Sequence, residues 1–326
     1  TQSTCMGVQT VDRASKYEKL TEKISEVKRE VSKVIVGQEE VIEQIIVSIL
    51  CDGNILLESN PGMGKTMTVR TISEVIGLDF SRIQSTPDLM PSDITGTHII
   101  QEDDTNTDFV FQKGPIFANM VLVDEINRAT PKTQSALLEA MEEKQVTVGN
   151  ESYELKQPFF LMATQNPIEQ EGTYPLPEAQ RDRFMMKVEL DYPDINEERD
   201  IVERFTNDLE FEPDLGQVLS SSSLVRMQEF TREVPIADDI RNKAVKLVRN
   251  TRDHDDLDYG ASPRASMQMV LAAKARALLQ GRSHVSTSDI NSMAKPVIRH
   301  RIGLNFQAEK EGKTEDDIIE DILDSL

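Results

Sequence analysis

The chain has 326 residues, 38% of them apolar, and a formal net charge of −21, so it is long enough for two domains with cores of their own. The acidic balance disfavours nucleic acid as a partner, because binding a phosphate backbone over a large surface requires a strong basic stripe. No apolar run approaches the length of a membrane span, and no basic-then-apolar signal segment opens the sequence.

The first segment, residues 1–33, is predicted to contain a tail and one amphipathic helix. Residues 1–12 show no periodic pattern and are expected to form a mobile tail. Apolar residues then recur at alternating steps of three and four, as they do along the buried face of a helix. These residues are Tyr17, Leu20, Ile24, Val27, Val31 and Val34. Packing on the chain's own domain is favoured over a coiled-coil partner, because the repeat spans few heptads.

Residues 34–191 are predicted to form an α/β nucleotide-binding core, with helices on both faces of a parallel five-stranded sheet. Short apolar runs separated by helical stretches are typical of buried parallel strands. The runs are Ile55–Leu57, Phe80–Gln84, Val121–Asp124, Phe159–Thr164 and Met185–Leu190. Between the third and fourth of these runs, residues 145–155 predict a projecting β-hairpin with Gly149 and Asn150 at its turn.

Residues 192–326 are predicted to form a small all-helical second domain. A linker marked by Pro193 joins this segment to the core, and helical patterns dominate after it. The predicted helices are Asn196–Asn207, Ser222–Thr231, Pro235–Arg252, Pro263–Leu279 and Thr287–Ile298. The sequence therefore divides into a sheet-containing part and a helical part.

Residues 59–66 have the pattern of a phosphate-binding loop, since an apolar strand precedes them and a helical pattern follows. The backbone N–H groups of Gly62 and Gly64 are expected to wrap a β-phosphate at the helix N-terminus. Lys65 would contact the β- and γ-phosphates, and the Thr66 hydroxyl would be a ligand of Mg²⁺. The residues expected to contact the nucleotide here are Asn60, Pro61, Gly62, Met63, Gly64, Lys65, Thr66 and Met67.

The first position of this loop departs from the usual pattern, which opens with Gly where this chain has Ser59. Gly is favoured where the chain turns sharply, because such a turn can require a positive φ that Ser adopts reluctantly. The sequence alone leaves open how tightly the loop closes. Ser59 is also the feature that favours an alternative function, a nucleotide-gated scaffold with little turnover.

A pair of acidic residues, Asp124 and Glu125, follows the predicted strand Met120–Val123. The carboxyl ends of parallel strands are where α/β sheets bind their ligands. Asp124 is therefore expected to hold Mg²⁺ opposite Thr66, directly or through water. Glu125 is expected to orient and activate the attacking water as general base.

Three polar residues further along the chain are candidates for phosphoryl-transfer chemistry. Asn166 closes the next strand and can hydrogen-bond a γ-phosphate or position the water, although Asn before Pro is also a common turn. Arg183 can neutralise transition-state charge on its own or a neighbouring subunit's nucleotide, and its alternative role is a surface ion pair with Asp182. Arg264 lies in the first turn of a predicted helix, where a cation is unfavourable unless an anion is near.

Several further strings occur together with these residues in a fixed order. The strings are Val36-Gly37-Gln38, the loop through Lys65-Thr66, Gly114-Pro115-Ile116-Phe117-Ala118-Asn119, Asp124-Glu125-Ile126-Asn127-Arg128-Ala129, Ala163-Thr164-Gln165-Asn166-Pro167, Ala179-Gln180-Arg181-Asp182-Arg183-Phe184 and Ser262-Pro263-Arg264-Ala265. In these strings the chain resembles the MoxR-type AAA+ ATPases, a family within the P-loop NTPases, over roughly residues 20 to 306. The order of the motifs makes the resemblance highly specific.

The resemblance implies a role for individual residues. Val36, Gly37 and Gln38 would line the adenine side of an ATP molecule. Asn166 matches the family's sensor-1 position and Arg264 its sensor-2 arginine, on a helical lid that lies beside the nucleotide. Arg183 matches the arginine finger, although Arg181 stands where an apolar residue is commoner and so competes for that role.

The resemblance also implies partners. Such proteins are usually hexameric ring ATPases in which the finger comes from the next subunit. Family members commonly act as chaperone-like remodellers of protein clients or in metal-centre maturation, often paired with a von Willebrand factor A domain protein. The hairpin at residues 145–155 matches an insertion that projects from the ring.

The sequence also bears on two other classes of nucleotide-binding enzyme and on the cellular compartment. A DNA-handling AAA+ enzyme is disfavoured by the net charge, and a GTPase by the lack of an Asn-Lys-x-Asp string, since Asn242-Lys243-Ala244-Val245 stops short. The two cysteines, Cys5 and Cys51, make no disulfide framework, which favours the reducing cytoplasm.

Overall fold

A computed structural model describes residues 2–103, 106–166, 172–207 and 213–326. A parallel five-stranded sheet forms its centre. The strands of this sheet are β1 (Ile55–Ser59), β2 (Phe80–Gln84), β5 (Met120–Asp124), β8 (Phe160–Gln165) and β9 (Met186–Leu190). The strands lie in the order β2-β5-β8-β1-β9, and every neighbouring pair is parallel. The predicted sheet is therefore confirmed, and all its carboxyl ends lie on one edge.

Helices cover both faces of this sheet, as successive side chains of one strand show. Met120 and Leu122 of β5 belong to one buried apolar cluster, whereas Val121 and Val123 belong to another. Strand side chains alternate between faces, so two clusters mean that both faces are covered. The helices of this half are α1 (Gln2–Ser32), α2 (Glu39–Leu50), α3 (Lys65–Val75), α4 (Pro91–Thr95), α5 (Pro131–Glu143) and α6 (Glu178–Arg181).

The first helix, α1, is longer than its sequence pattern predicts. Its buried face is as expected, since Tyr17, Ile24, Val27 and Val31 pack into the first cluster with α2 and α3. The helix begins at Gln2, however, and so includes residues that were expected to form a tail. Residues 1–12 have no apolar periodicity, and this periodicity is the signal that predicts an amphipathic helix, so the sequence pattern missed the start of α1.

Two antiparallel hairpins project from the core half. The predicted hairpin is present as β6 (Gln145–Val148) and β7 (Glu151–Glu154). A longer hairpin, β3 (Gly96–Asp103) and β4 (Asn106–Lys113), was not predicted. Large apolar side chains are exposed on both of its faces, so the sequence lacks the alternation of apolar and polar residues that marks a half-buried strand. They are Ile99, Ile100, Phe109 and Val110.

The second half of the chain is helical, as predicted, with one small addition. Its helices are α7 (Ile195–Thr206), α8 (Ser221–Arg232), α9 (Asp238–Asn250), α10 (Pro263–Leu279), α11 (Thr287–Ile298), α12 (Phe306–Glu311) and α13 (Glu315–Asp324). The addition is a two-stranded antiparallel ribbon, β10 (Leu257–Tyr259) and β11 (Gly303–Leu304). Helices α1 and α2 contact α10, and α11 contacts β9, so this half packs on the first cluster. Within the described residues, no helix is long and apolar enough to cross a bilayer.

Candidate functional site

A cavity of about 390 Å³ lies at the carboxyl edge of the sheet. It brings together residues that are far apart in the sequence, because β1, β5 and β8 are neighbours and all end at this edge. Its lining residues are Pro61, Gly62, Met63, Gly64, Lys65, Thr66, Met67, Arg82, Gln84, Asp124, Glu125 and Thr164. The phosphate-loop residues and the acidic pair predicted from the sequence therefore face one another across one space.

The glycines of the loop have the geometry that a bound phosphate requires. Gly62 and Gly64 have φ angles of 84° and 74°, which residues with a Cβ rarely adopt. An ideal Cβ placed on either glycine would meet no atom within 4 Å, so the backbone here borders open space. Gly64 is also the N-cap of α3, where backbone N–H groups and the helix dipole favour an anion. These residues fit a phosphate group.

Ser59 does not disturb the loop, although the sequence raised that question. It is the last residue of β1, where it pairs with Leu190 of β9, and its side chain is buried. An extended strand residue does not need the positive φ that only Gly adopts readily. The Ser59 hydroxyl donates to the backbone oxygen of Asn60 at 3.1 Å, which satisfies this buried polar group. The turn begins after this position.

Lys65 reaches back across the loop from the first turn of α3. Its Nζ lies 3.3 Å from the backbone oxygen of Ser59. Partial burial lowers the pKa of Lys65, while the negative charges of Asp124 and Glu125 act in the opposite direction. A polyanion bound in the cavity would add to the second effect and hold the ammonium group in its charged form.

Asp124 is the buried member of the acidic pair, and side chains from two neighbouring strands fix its carboxylate. The Thr164 hydroxyl on β8 donates to Oδ1 at 3.3 Å, and the Arg82 guanidinium on β2 donates through Nε to Oδ2 at 2.5 Å. Carboxylate oxygens are the ligands that Mg²⁺ prefers, and Mg²⁺ sites usually use one or two carboxylates together with phosphate oxygens. Thr66 lines the same cavity, so its hydroxyl and the Asp124 carboxylate are the side-chain groups that could hold such an ion.

Glu125 has an unusual backbone conformation for a residue with a side chain. Its φ and ψ are 53° and 52°, in the left-handed region that costs a non-Gly residue energy. Its backbone N–H donates to the Thr164 hydroxyl at 2.8 Å, which helps to hold this conformation. The Glu125 carboxylate lines the cavity and pairs with Arg128 at 2.9 Å. A partly exposed carboxylate in this position can accept a proton from a bound water.

Arg82 is a cavity residue that sequence reasoning missed. It lies within β2, and its side chain is about half exposed at the cavity wall, next to the Gln84 side chain at 3.1 Å. The pairing of β2 with β5 puts its guanidinium beside Asp124. The sequence signal for this role was a charged residue inside a predicted buried strand. That signal does not tell which residue the charge contacts.

The predicted adenine-side residues lie close to the phosphate loop but outside this cavity's lining. The Gln38 side chain donates through Nε2 to the backbone oxygen of Met63 at 3.5 Å. Val36 lies two residues before Gln38 in the sequence. Gly37 lines a larger cavity of about 830 Å³ between α1, α2, α10 and α11. The described lining of the larger cavity contains none of the phosphate-loop residues, whereas the smaller cavity is lined by six of them, Pro61, Gly62, Met63, Gly64, Lys65 and Thr66.

Three other predicted residues also lie outside the lining of the smaller cavity among the described residues. Asn166 directly follows β8, the strand between β5 and β1. Arg183 and Arg264 meet at one carboxylate, that of Glu142 at the end of α5, with N–O distances of 2.6 and 3.2 Å. Glu142 and Arg183 line a separate cavity of about 240 Å³. The structure thus gathers both predicted arginines at a different surface from their own phosphate loop.

The competing arginine, Arg181, has an intramolecular partner. Its Nη2 lies 2.8 Å from the Tyr259 hydroxyl in the helical half. Arg183, by contrast, is bound to a partly exposed glutamate that it shares with another cation. The two arginines therefore differ in their partners, which are a hydroxyl group for Arg181 and a partly exposed carboxylate for Arg183.

Comparisons with known proteins agree with this geometry. The family model described as "ATPase family associated with various cellular activities (AAA)" matches residues 54–186, and the AAA lid domain model matches residues 249–322. Chaperone MoxR1 of Mycobacterium tuberculosis is 43% identical over 86% of this chain and 75% of its own length. Protein MoxR of Paracoccus denitrificans is 31% identical over 83% of this chain and 86% of its own length.

A solved structure extends this agreement to the whole chain. The crystal structure of a protein from Cytophaga hutchinsonii superimposes with a TM-score of 0.90 at 42% sequence identity. The match covers 98% of both chains, so the two halves are shared as well as the cavity edge.

Proposed function

The chain belongs to the MoxR family of AAA+ ATPases, and from that premise we propose that it hydrolyses ATP with Mg²⁺ in the cavity at the phosphate loop to remodel a protein client. One observation carries the assignment of the site. Lys65 and Thr66 on one side of the cavity face Asp124 and Glu125 on the other. These are the groups that phosphoryl transfer to water requires.

Each of these residues has a distinct task in the proposed reaction. Lys65 holds the β- and γ-phosphates and neutralises part of their charge, while the N–H groups of Gly62 and Gly64 orient them. Thr66 and Asp124 hold Mg²⁺, which, when bound, screens the charge that develops on the phosphate oxygens. Glu125 orients the attacking water and accepts its proton. Asn166, one strand away, positions this water or the γ-phosphate.

Arg82 gives a test of the Mg²⁺ assignment. In Arg82→Ala the Asp124 carboxylate loses a cation that Mg²⁺ must otherwise displace, so we expect the Mg²⁺ concentration for half-maximal turnover to fall about fivefold, the effect of roughly 1 kcal/mol. The measurement is ATP turnover against Mg²⁺ concentration. Arg70→Ala removes a comparable ion pair on the exposed face of α3 and serves as control. An unchanged Mg²⁺ requirement with a lower kcat would mean that Arg82 acts on the nucleotide instead.

The two arginines at Glu142 support a site that is shared between subunits. Arg183 lines a different cavity from its own phosphate loop, Arg264 contacts the Glu142 carboxylate of that cavity, and each arginine is more than a third exposed. We therefore propose a homo-oligomeric ring, a hexamer, in which both arginines reach the nucleotide of a neighbouring subunit. A ring arises when the same contact repeats head to tail and closes. The Arg183 guanidinium then stabilises the charge of the transition state in trans.

The two hairpins are the proposed contact with the client. Phe111 of β4 stacks on Tyr153 of β7 at a centroid distance of 4.0 Å, so the hairpins form one projecting unit. Beyond this stack, Ile100 and Phe109 are 58% and 73% exposed. Exposed apolar groups of this size mark protein interaction surfaces. A von Willebrand factor A domain protein is the partner that the family resemblance proposes, and the buried free thiol of Cys51 agrees with a reducing cytoplasm.

The alternative of a nucleotide-gated scaffold loses its support. Ser59 was the feature that favoured it, and Ser59 is an ordinary strand residue. The DNA-handling reading gains no support from the described residues either.

Turnover against protein concentration tests the proposal, and Glu125→Gln is its catalytic control. We expect the rate per chain to rise as mass measurements detect rings, because each site needs a neighbour's arginine. Glu125→Gln should bind ATP normally and release phosphate at least 100-fold more slowly, which is within the usual contribution of a general base. A rate per chain that stays constant while rings assemble would contradict the shared site. Equal rates for wild type and Glu125→Gln would contradict the role of Glu125.

A further inference from the structure

The finger segment, residues 181–184, joins the short helix α6 to β9 and carries Arg183. It belongs to the core half by sequence, but the Arg181 and Asp182 side chains form hydrogen bonds with residues of the helical half. The Arg181 guanidinium donates to the Tyr259 hydroxyl at 2.8 Å. The Asp182 carboxylate accepts from the Ser262 hydroxyl at 3.0 Å and from Nε of Arg301 at 2.9 Å. Tyr259 and Ser262, which precede α10, and Arg301, which follows α11, thus hold this segment.

Arg301 makes the most extensive of these contacts. It is buried, and its guanidinium donates to the Asp182 carboxylate and to the backbone oxygens of Asp182, Phe184 and Met185. It also donates to Gln268 on α10 and to the backbone oxygen of Val297 on α11. A buried cation is tolerated only when its donors are satisfied, and this one has four acceptors on residues 182–185 and two in the helical half.

A second buried residue, His300, adds to this junction. Its Nε2 lies 3.0 Å from the backbone oxygen of Phe184, so Nε2 carries the proton and donates. Burial lowers the pKa of His300 well below its usual range, which keeps the imidazole neutral, and Nδ1 has no partner among the described atoms. The Phe184 side chain is fully buried in the second cluster of the core. The segment is therefore fixed at both ends.

Arg183 itself points away from this junction. Its guanidinium pairs with Glu142, the carboxylate that Arg264 also contacts. Arg264 follows Ser262 by two residues at the start of α10, and the Ser262 hydroxyl accepts from its backbone N–H at 3.2 Å. Both arginines are consequently anchored to the same part of the helical half, one directly and one through Asp182.

We propose that Arg301 is a positioning residue that ties the finger segment to the helical half, so that the position of Arg183 depends on the position of that half, which also carries Arg264. The inference rests on the proposed shared site. Its consequence is that a tilt of the helical half, driven by the chain's own nucleotide, changes the positions of the Arg183 and Arg264 guanidinium groups relative to the neighbouring subunit's nucleotide. Arg301 would act through Arg183 and would not touch the nucleotide.

Mixed oligomers can separate the two roles of each chain. Lys65→Ala chains supply arginines but no working site, and Arg183→Ala chains supply a site but no finger. A mixture of the two is the reference. In the first test mixture Arg301→Lys is added to the Lys65→Ala chain, which acts only as finger donor. In the second it is added to the Arg183→Ala chain, which acts only as the site.

We expect a selective defect. Phosphate release by the first mixture should fall at least tenfold below the reference, because a displacement of about 1 Å in a catalytic group can cost on the order of 100-fold. Phosphate release by the second mixture should stay within about twofold of the reference. In that mixture Arg301→Lys is in the chain that supplies the nucleotide site, and Arg301 lies outside the lining of the phosphate-loop cavity. Arg282→Lys, which alters a buried ion pair with Asp289 inside the helical half, is the matched control and should affect neither mixture.

Other outcomes would overturn the inference. Equal losses in both mixtures would mean that Arg301 merely stabilises the fold, and no loss in the first would mean that it does not position the finger. If Arg301→Lys does not fold, as judged by thermal unfolding, Ser262→Ala removes the milder contact to Asp182 and the same pattern is expected with a smaller, about threefold, loss. A reference mixture without activity would refute the shared site itself, and the inference would fall with it.

Discussion

Lys65→Ala is expected to abolish ATP binding at concentrations that saturate the wild-type protein. Lys65 is the cation of the phosphate loop that lines the cavity, and it is partly buried opposite Asp124 and Glu125. Without it, a triphosphate would face two carboxylates across the cavity with only backbone N–H groups and Mg²⁺ to offset its charge. Losing one partner of a desolvated charge pair costs 2–5 kcal/mol, so we expect Kd to rise by roughly 100-fold or more.

Binding of a fluorescent ATP analogue, with thermal unfolding in parallel, measures this effect. The variant should unfold at a temperature close to that of the wild type, because the hydrogen bond that the Lys65 ammonium makes to the described residues is a long one, at 3.3 Å. ATP should raise the unfolding temperature of the wild type but not that of the variant. Lys132→Ala, at an exposed position on α5, is the matched control. Near-normal affinity in Lys65→Ala would place the triphosphate somewhere else.

Arg183→Ala is expected to keep ATP binding and to lose hydrolysis. The Arg183 side chain lies at Glu142 and not in the lining of its own phosphate-loop cavity, so the chain's own affinity should change little. An arginine finger contributes about 10³- to 10⁵-fold to kcat, because it stabilises charge that exists only in the transition state. We therefore expect kcat to fall by roughly 10³-fold with Kd within about twofold of the wild type.

Mixing this variant with Glu125→Gln subunits should restore part of the activity. Glu125→Gln chains keep Arg183 and can complete the intact sites of Arg183→Ala neighbours. Phosphate release against mixing ratio should therefore pass through a maximum, whereas each variant alone stays near background. Failure of this rescue, together with a monomeric mass in every nucleotide state, would refute a shared site. A loss for Arg181→Ala as large as that for Arg183→Ala, with Arg183→Ala itself active, would assign the finger to Arg181.

The sequence determined the parts of the site that are contiguous along the chain. The loop through Lys65 and Thr66 and the pair Asp124-Glu125 could be predicted because each motif carries its own strand and turn context. The sheet was equally predictable, since buried parallel strands read as apolar runs whatever their order. The buried face of α1 was predictable from its period, but its start at Gln2 was not, because residues 1–12 have no apolar periodicity.

Tertiary structure alone decided which distant residues meet. The order β2-β5-β8 brings Arg82 and Thr164 to the two oxygens of Asp124, and no local pattern encodes that order. The meeting of Arg183 with Arg264 depends on how the helical half packs, since the two residues lie on different halves of the chain. A sequence motif identifies a site only when the residues that form it are close together in the sequence. Strand order and domain packing are set by the whole apolar core, whose side chains are interchangeable in type and therefore carry little information about which partner each one finds.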